Sequence, residues 1–223
     1  MKTKFAIYLI SLLFGLSSCI EIIDDLTLNP DGSGTFKYNI NLSASKVKVN
    51  SILALDSLDG KKVPSLDEIK ERIDKISLEL RSQQGITQVV VDANYTDYIL
   101  KLSFDFTSLD ALQNGVKAVI KLESGDRPLN QLDYDWVSFD DNKLSRSIPQ
   151  LNIKQSKKLD DADRELLKTG SYTAITRFGK DIKTYSNEEA MLSKNKKAVL
   201  LRTDPYSLLQ NPNLLDNTIE LVP

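Results

Sequence analysis

The sequence predicts an α+β fold: antiparallel β-sheet hairpins with helices packed mainly on one face. Three observations lead there. Two stretches alternate apolar and polar residues on both sides of a turn-forming segment, as half-buried hairpins do. A third repeats aliphatic residues at intervals of three and four, as an amphipathic helix does. Residues 20–122 run hairpin, helices, hairpin, helix, an order that suits an antiparallel sheet with helices on one side.

In the first hairpin Ile22, Leu26 and Leu28 share a face that Asp24 interrupts, and Phe36, Tyr38, Ile40 and Leu42 alternate with Lys37, Asn39 and Asn41. The intervening "NPDGSG" has Pro30 to fix φ and Gly32 and Gly34 to permit positive φ. An EF-hand would need glutamate at the twelfth position from Asp31, where Leu42 stands. A phosphate loop would need Gly-Lys-Ser/Thr entering a helix, and Gly34 is followed by a strand pattern. The segment is therefore expected to be a turn that binds no metal. Residues 43–58, with Ile52, Leu53 and Leu55 apolar, are expected to form a short helix ended by Asp59-Gly60. Ser65 and Glu68 then have the spacing of a capping box, with Pro64 just outside. Leu66, Ile69, Ile73, Ile76 and Leu80 form one stripe, expected to be core, and Gly85 ends the helix. Residues 86–91 and 98–106 read as the second hairpin around Asn94-Tyr95-Thr96-Asp97. Thr107 with Asp110 is expected to cap a helix bearing Leu109, Leu112, Val116, Val119 and Ile120.

The second half repeats the strand theme with less helix. Leu132, Tyr134, Trp136 and Phe139 suggest a strand, Asp140 to Lys143 a turn, and residues 144–148 a return strand. A charged amphipathic helix is expected over 159–168, strands over 171–178, 198–202 and 218–222, and a helical turn over 205–210. Ser124-Gly125-Asp126-Arg127-Pro128 is the weakest joint and the place for a lobe boundary. One domain over 19–223 with a continuous sheet is favoured, because residues 129–223 offer few core helices.

The N-terminus carries a different signal. Lys2 and Lys4 precede an uncharged apolar run over 5–14, and small residues lead to Cys19, the single cysteine. This is the layout of a secretory signal peptide over 1–18, too short to span a membrane. Leu16, Ser17, Ser18 and Cys19 resemble the lipobox of bacterial lipoproteins, all four positions fitting. The resemblance implies that the Cys19 thiol receives diacylglycerol and that the chain is cut before it, with palmitate-type acyl chains as anchor. A thiol is the one side chain nucleophilic enough for that S-alkylation. The expected location is the cell envelope, at the periplasmic face of the outer membrane. Cleavage removes two of 29 basic side chains, leaving 27 against 31 acidic ones and a formal charge of −4. No basic excess points to nucleic acid.

Histidine is absent, which removes imidazole acid–base chemistry, Ser-His-Asp hydrolysis and imidazole metal sites. The paired carboxylates Asp24-Asp25, Asp140-Asp141 and Asp160-Asp161 are adjacent in sequence, so on a strand each pair points to opposite faces. The expectation is a non-catalytic binding, assembly or structural role without a cofactor. The rival is an acidic-cleft hydrolase using aspartate or glutamate carboxylates from distant segments. Tyr134, Trp136 and Phe139 are candidates for a ligand surface, with core packing as the blander assignment.

Two further stretches carry a resemblance. "LNPDGSGTFKYNINLS" is like the opening hairpin of LppM-like bacterial envelope lipoproteins. Arg177-Phe178-Gly179-Lys180, then Asn187, then Ser193 to Lys197 leading into a strand, is similar to their ending. The resemblance implies a β-rich envelope domain that binds lipids or glycolipids. The membrane, through the N-terminal lipid anchor that the lipobox implies, and an envelope protein or lipid are the expected partners.

Overall fold

A computed structural model describes residues 20–58, 60–124, 135–147 and 161–223. Leu16, Ser17, Ser18, Cys19, Leu132, Tyr134, Asp160 and residues 125–128 of the expected joint lie outside them. In chain order the elements are β1 (Glu21–Leu28), β2 (Gly34–Asn41), a 3-10 turn (Ser43–Ser45), α1 (Lys46–Leu53), β3 (Ser57–Leu58), β4 (Lys61–Lys62), α2 (Leu66–Ser82), β5 (Ile86–Asn94), β6 (Ile99–Phe106) and α3 (Leu109–Ser124). There follow β7 (Val137–Asp140), β8 (Lys143–Arg146), α4 (Asp161–Lys168), β9 (Ser171–Phe178), β10 (Ile182–Tyr185), β11 (Met191–Leu192), β12 (Ala198–Thr203), α5 (Pro205–Gln210), a 3-10 turn (Pro212–Leu215) and β13 (Asn217–Leu221).

The fold is α+β. Seven strands form one sheet in the order β11-β12-β9-β1-β2-β6-β5, and four more form a second, β10-β13-β8-β7. All pairings are antiparallel except β1 with β9, which run parallel with Glu21 beside Ser171 and Leu28 beside Phe178. Parallel neighbours need a long crossover, and everything from β2 to α4 lies between these two. Strands from before and after residues 124–128 thus share one sheet.

One face of the large sheet is covered. Its residues follow the strand period: Asp24, Leu26 and Leu28 on β1, Phe36 and Tyr38 on β2, Phe104 and Phe106 on β6, Ala174, Thr176 and Phe178 on β9, Val199 and Leu201 on β12. Helices α2 and α3 pack on each other and on β5, and α3 also reaches β6. Farther along, the small sheet joins through Val137, Leu144, Ile219 and Leu221, and all belong to one hydrophobic core.

The α2 capping box forms as its sequence indicates. Glu68 N–H donates to Ser65 Oγ at 3.2 Å, and Ser65 N–H donates to Glu68 Oε2 at 2.7 Å. A hydrogen bond from Lys62, before the Ser65 amide, holds the Glu68 carboxyl at about 2. The stripe, in contrast, is only partly core. Leu80 is fully buried and Ile76 packs against the core, while Leu66, Ile69 and Ile73 are half-buried. The helix lies on β5, the edge strand, so its first turns meet solvent. Leu80→Ala is therefore expected to cost about 2–5 kcal/mol, the range for a buried leucine. Ile73→Ala should cost less than half as much, both read by urea unfolding.

Two expectations are corrected. The helix predicted over 43–58 ends at Leu53, and Ser57–Leu58 pairs instead with Lys61–Lys62 in a small ribbon. Gly60, at φ +73, turns that ribbon, and Val63 N–H closes it on the Asp56 carbonyl at 3.1 Å. The cap of α3 is Ser108, whose Oγ accepts the Ala111 N–H at 3.1 Å, rather than Thr107. Among the described residues no helix is long and apolar enough to cross a membrane.

Candidate binding cleft

β1 and β9 end side by side, at Leu28 and Phe178. There the two sheets leave a cleft of about 120 Å³. Its floor is Leu28, Phe139, Phe178 and Leu221, and its rim is Asn29, Pro30, Asn142, Gly179 and Lys180. Each wall has a local cause. Asn142 belongs to the two-residue turn between β7 and β8, where Asp141 (φ 46) and Asn142 (φ 61) both adopt the left-handed conformation of a type I′ hairpin. Its carbonyl accepts the Leu221 N–H at 2.8 Å, which brings β13 to the floor. Its side-chain oxygen accepts a hydrogen bond from Lys180 Nζ at 3.0 Å, which fixes the one ammonium of the rim.

The "NPDGSG" turn builds the opposite lip. Asn29 N–H donates to the Ser33 carbonyl at 2.8 Å, and Gly32, at φ +84, donates back to the Asn29 carbonyl at 3.1 Å. Asp31 Oδ1 accepts the Ser33 N–H at 3.0 Å and its hydroxyl at 2.6 Å, and these bonds hold the carboxyl below its usual range. Gly34, read from sequence as a positive-φ position, is not one. A Cβ there would stand 2.0 Å from the Thr27 carbonyl oxygen. Close approach of β1 is what demands glycine. Among the described residues no three His, Cys, Asp or Glu side chains gather as a metal site would need.

Behind the cleft a polar group pins the sheets together. Arg146, on β8, donates through Nη1 to the Ile175 carbonyl at 2.9 Å and to Thr176 Oγ1 at 2.8 Å, and through Nη2 to Asp24 Oδ1. Tyr172 Oη donates to Asp24 Oδ2 at 2.5 Å. The Arg146 and Asp24 side chains are only 4% and 5% exposed. Burial, with the Asp24 charge adding to it, pushes the Tyr38 hydroxyl up to about 12 and that of Tyr172 well above its ordinary value. Asp25 faces the other way, where Arg177 Nε reaches both its oxygens at 2.9 and 3.0 Å. The Asp24-Asp25 pair is thus split between two arginines on two faces.

No family model matches the chain, and no curated protein matches it in sequence. Among solved structures, the NMR structure of the folded domain of Mycobacterium tuberculosis LppM is similar over 91% of this chain and 90% of that one, at 9% identity and a TM-score of 0.43. That likeness gives no residue of this chain a role.

The three aromatic residues singled out from sequence do not form one surface. Phe139 lines the cleft, Trp136 is buried in the core, and Tyr134 lies outside the described residues. Trp136 precedes β7, and its backbone N–H donates to Gln113 Oε1 of α3 at 2.9 Å, which ties this stretch of chain to the helix layer. Sequence reasoning missed Lys180 and Asn142, which come together only through the packing of the two sheets. It also missed Arg146, whose signal was present: an arginine at the apolar parity of Leu144 on its strand, as Asp24 is on β1.

Proposed function

We propose that the protein is a lipid-anchored cell-envelope lipoprotein that binds rather than catalyses, held by acyl chains on Cys19 and presenting its cleft away from the bilayer. One observation supports this reading: the cleft lies at the end of β1 opposite the end that follows Cys19 in the chain. The Ile20 carbonyl accepts the Ser171 N–H at 2.7 Å and β1 begins at Glu21, two residues after Cys19. The cleft lies past Leu28, at the far end of that strand. Eight residues at about 3.3 Å each separate the two by roughly 26 Å. The cleft offers an apolar floor and one ammonium, which suits a small apolar group carrying a hydrogen-bond acceptor, as on a lipid or glycolipid. The setting proposed is the periplasmic face of the outer membrane.

Cys19→Ala tests the anchor. The variant is expected to take up no radiolabelled acyl chain and to stay unprocessed or leave the membrane fraction, while wild type fractionates with outer membrane on a density gradient. Acyl-labelled, membrane-bound Cys19→Ala protein would rule out the anchor.

A further inference from the structure

The same geometry deepens that reading, on which this inference rests. The backbone is already tied to the sheet at Ile20. A lipidated Cys19 is one residue away, and consecutive Cα atoms are about 3.8 Å apart. So short a tether cannot hold the body off the headgroups. The surface around the start of β1 must therefore lie in or on the headgroup layer.

That surface is made by specific elements. Glu21 pairs with Asn41 and Asn41 with Ile99, so the start of β1, the end of β2 and the start of β6 lie side by side. Helix α1 follows β2 after the 3-10 turn and is fastened to the β5–β6 turn, through Lys46 Nζ to Asp97 Oδ1 at 2.9 Å and Tyr98 Oη to Asn50. Positions 46 and 50 lie on one side of the helix. Val47 points elsewhere and is 81% exposed. Leu55, between α1 and the ribbon, is 46% exposed, and Leu58, in β3, is 40% exposed. Residues 43–62 also carry Lys46, Lys48, Lys61 and Lys62 against Asp56 and Asp59, a local net charge of +2 in a chain whose formal charge is −2. Charge alone does not choose this end, since Lys197 and its neighbours Lys194 and Lys196 lie beside Phe178 at the other. Aliphatic exposure is greater here: Val222 at 44% and Leu192 at 37% are exposed towards the other end, but Val47, at 81%, is the most exposed large hydrophobic side chain among the described residues.

We propose that α1 and the β3–β4 ribbon are a second, non-covalent membrane contact. Val47, Leu55 and Leu58 seat in the interfacial layer of the bilayer that holds the acyl chains, and Lys48 faces its anionic phosphates. Strand β1 then stands away from the membrane and the cleft points into the aqueous space.

The test uses the full acylated chain in vesicles of phosphatidylethanolamine and phosphatidylglycerol. Acylation occupies Cys19, so an engineered cysteine is the sole free thiol. Val47→Cys, Leu55→Cys and Lys194→Cys are each labelled with a polarity-sensitive fluorophore, and vesicles with spin-labelled headgroup-region lipid supply the quencher. Labels at 47 and 55 are expected to shift to the blue and lose most of their emission to the quencher, while the label at 194 keeps its aqueous spectrum. If vesicles float the protein but all three labels behave alike, the membrane contact is wrong and the anchor stands. A blue shift at 47 and 55 without lipid quenching means that another protein copy covers the patch, and likewise overturns it. Failure to acylate or float removes the anchor and this contact together.

Discussion

Arg146→Ala is expected to lower the stability of the domain by about 3–5 kcal/mol, the range for removing one partner of a buried ion pair. The guanidinium spans the space between the sheets. It reaches Asp24 on β1 and both a carbonyl and a hydroxyl on β9. Its loss leaves the Asp24 carboxylate buried with Tyr172 as its remaining hydrogen-bond donor among the contacts described, and leaves Thr176, itself 5% exposed, without that bond. Arg146→Lys should recover little, because an ammonium lacks the planar fork that serves three acceptors at once. The pair is not an ideal stabiliser even so. Arg146 Nε is buried without a hydrogen-bond partner among the described residues, a cost of about 1–3 kcal/mol. Asp24→Leu combined with Arg146→Met, which removes both charges, is therefore expected to be much less harmful than Arg146→Ala alone. Urea unfolding of the three variants reads the contrast. A loss of about 1 kcal/mol or less for Arg146→Ala, typical of a surface ion pair, would show that water reaches the site.

What the sequence made legible was local. The first hairpin has period-two alternation on both strands and a Pro-Asp-Gly turn, so its register needs no distant information. Helix α2 announces its start through Ser65 and Glu68; it ends at Ser82 with Gln83 as its cap, and Gly85, at φ +80, lies past that end where the chain turns into β5. What stayed hidden depends on residues far apart in the chain. The parallel pairing of β1 with β9 leaves no trace in the periodicity of either strand. The half-exposure of Ile73 follows from β5 being an edge strand, a property of the sheet rather than of the helix. The short strands β10 and β11 carry too few residues to show a period. The cleft is legible only at Phe139, since Lys180 and Asn142 are polar residues in turns, like many others, until the two sheets bring them within 3.0 Å.

The second large effect is expected at a residue whose sequence role was misassigned. Gly34→Ala should cost about 3 kcal/mol or more, at or above the top of the usual overpacking range. Gly34 pairs with Leu28 on one side and Phe106 on the other. An added Cβ would meet the Thr27 carbonyl oxygen at 2.0 Å and Phe106 Cζ at 2.6 Å. Phe106 is 2% exposed, and turning its ring leaves Cζ in place, while the Thr27 oxygen is backbone within β1 and can move only by shifting the strand. Gly32 is the control. It has φ +84 and nothing within 4 Å of an added Cβ, so Gly32→Ala meets conformational strain alone, about 1–2 kcal/mol. The two glycines are two residues apart in one turn, yet the substitutions separate left-handed backbone from close packing. A shift of β1 at Thr27 also moves Leu28 and Asn29, which line the cleft, so Gly34→Ala should deform the binding site while Gly32→Ala leaves it in place. Urea unfolding gives the two stabilities, and the NMR shifts of the Leu28 and Phe178 amides report the cleft. Equal losses for the two variants would mean that β1 and β2 have slack at this end, and that the glycine at 34 is there for its backbone freedom after all.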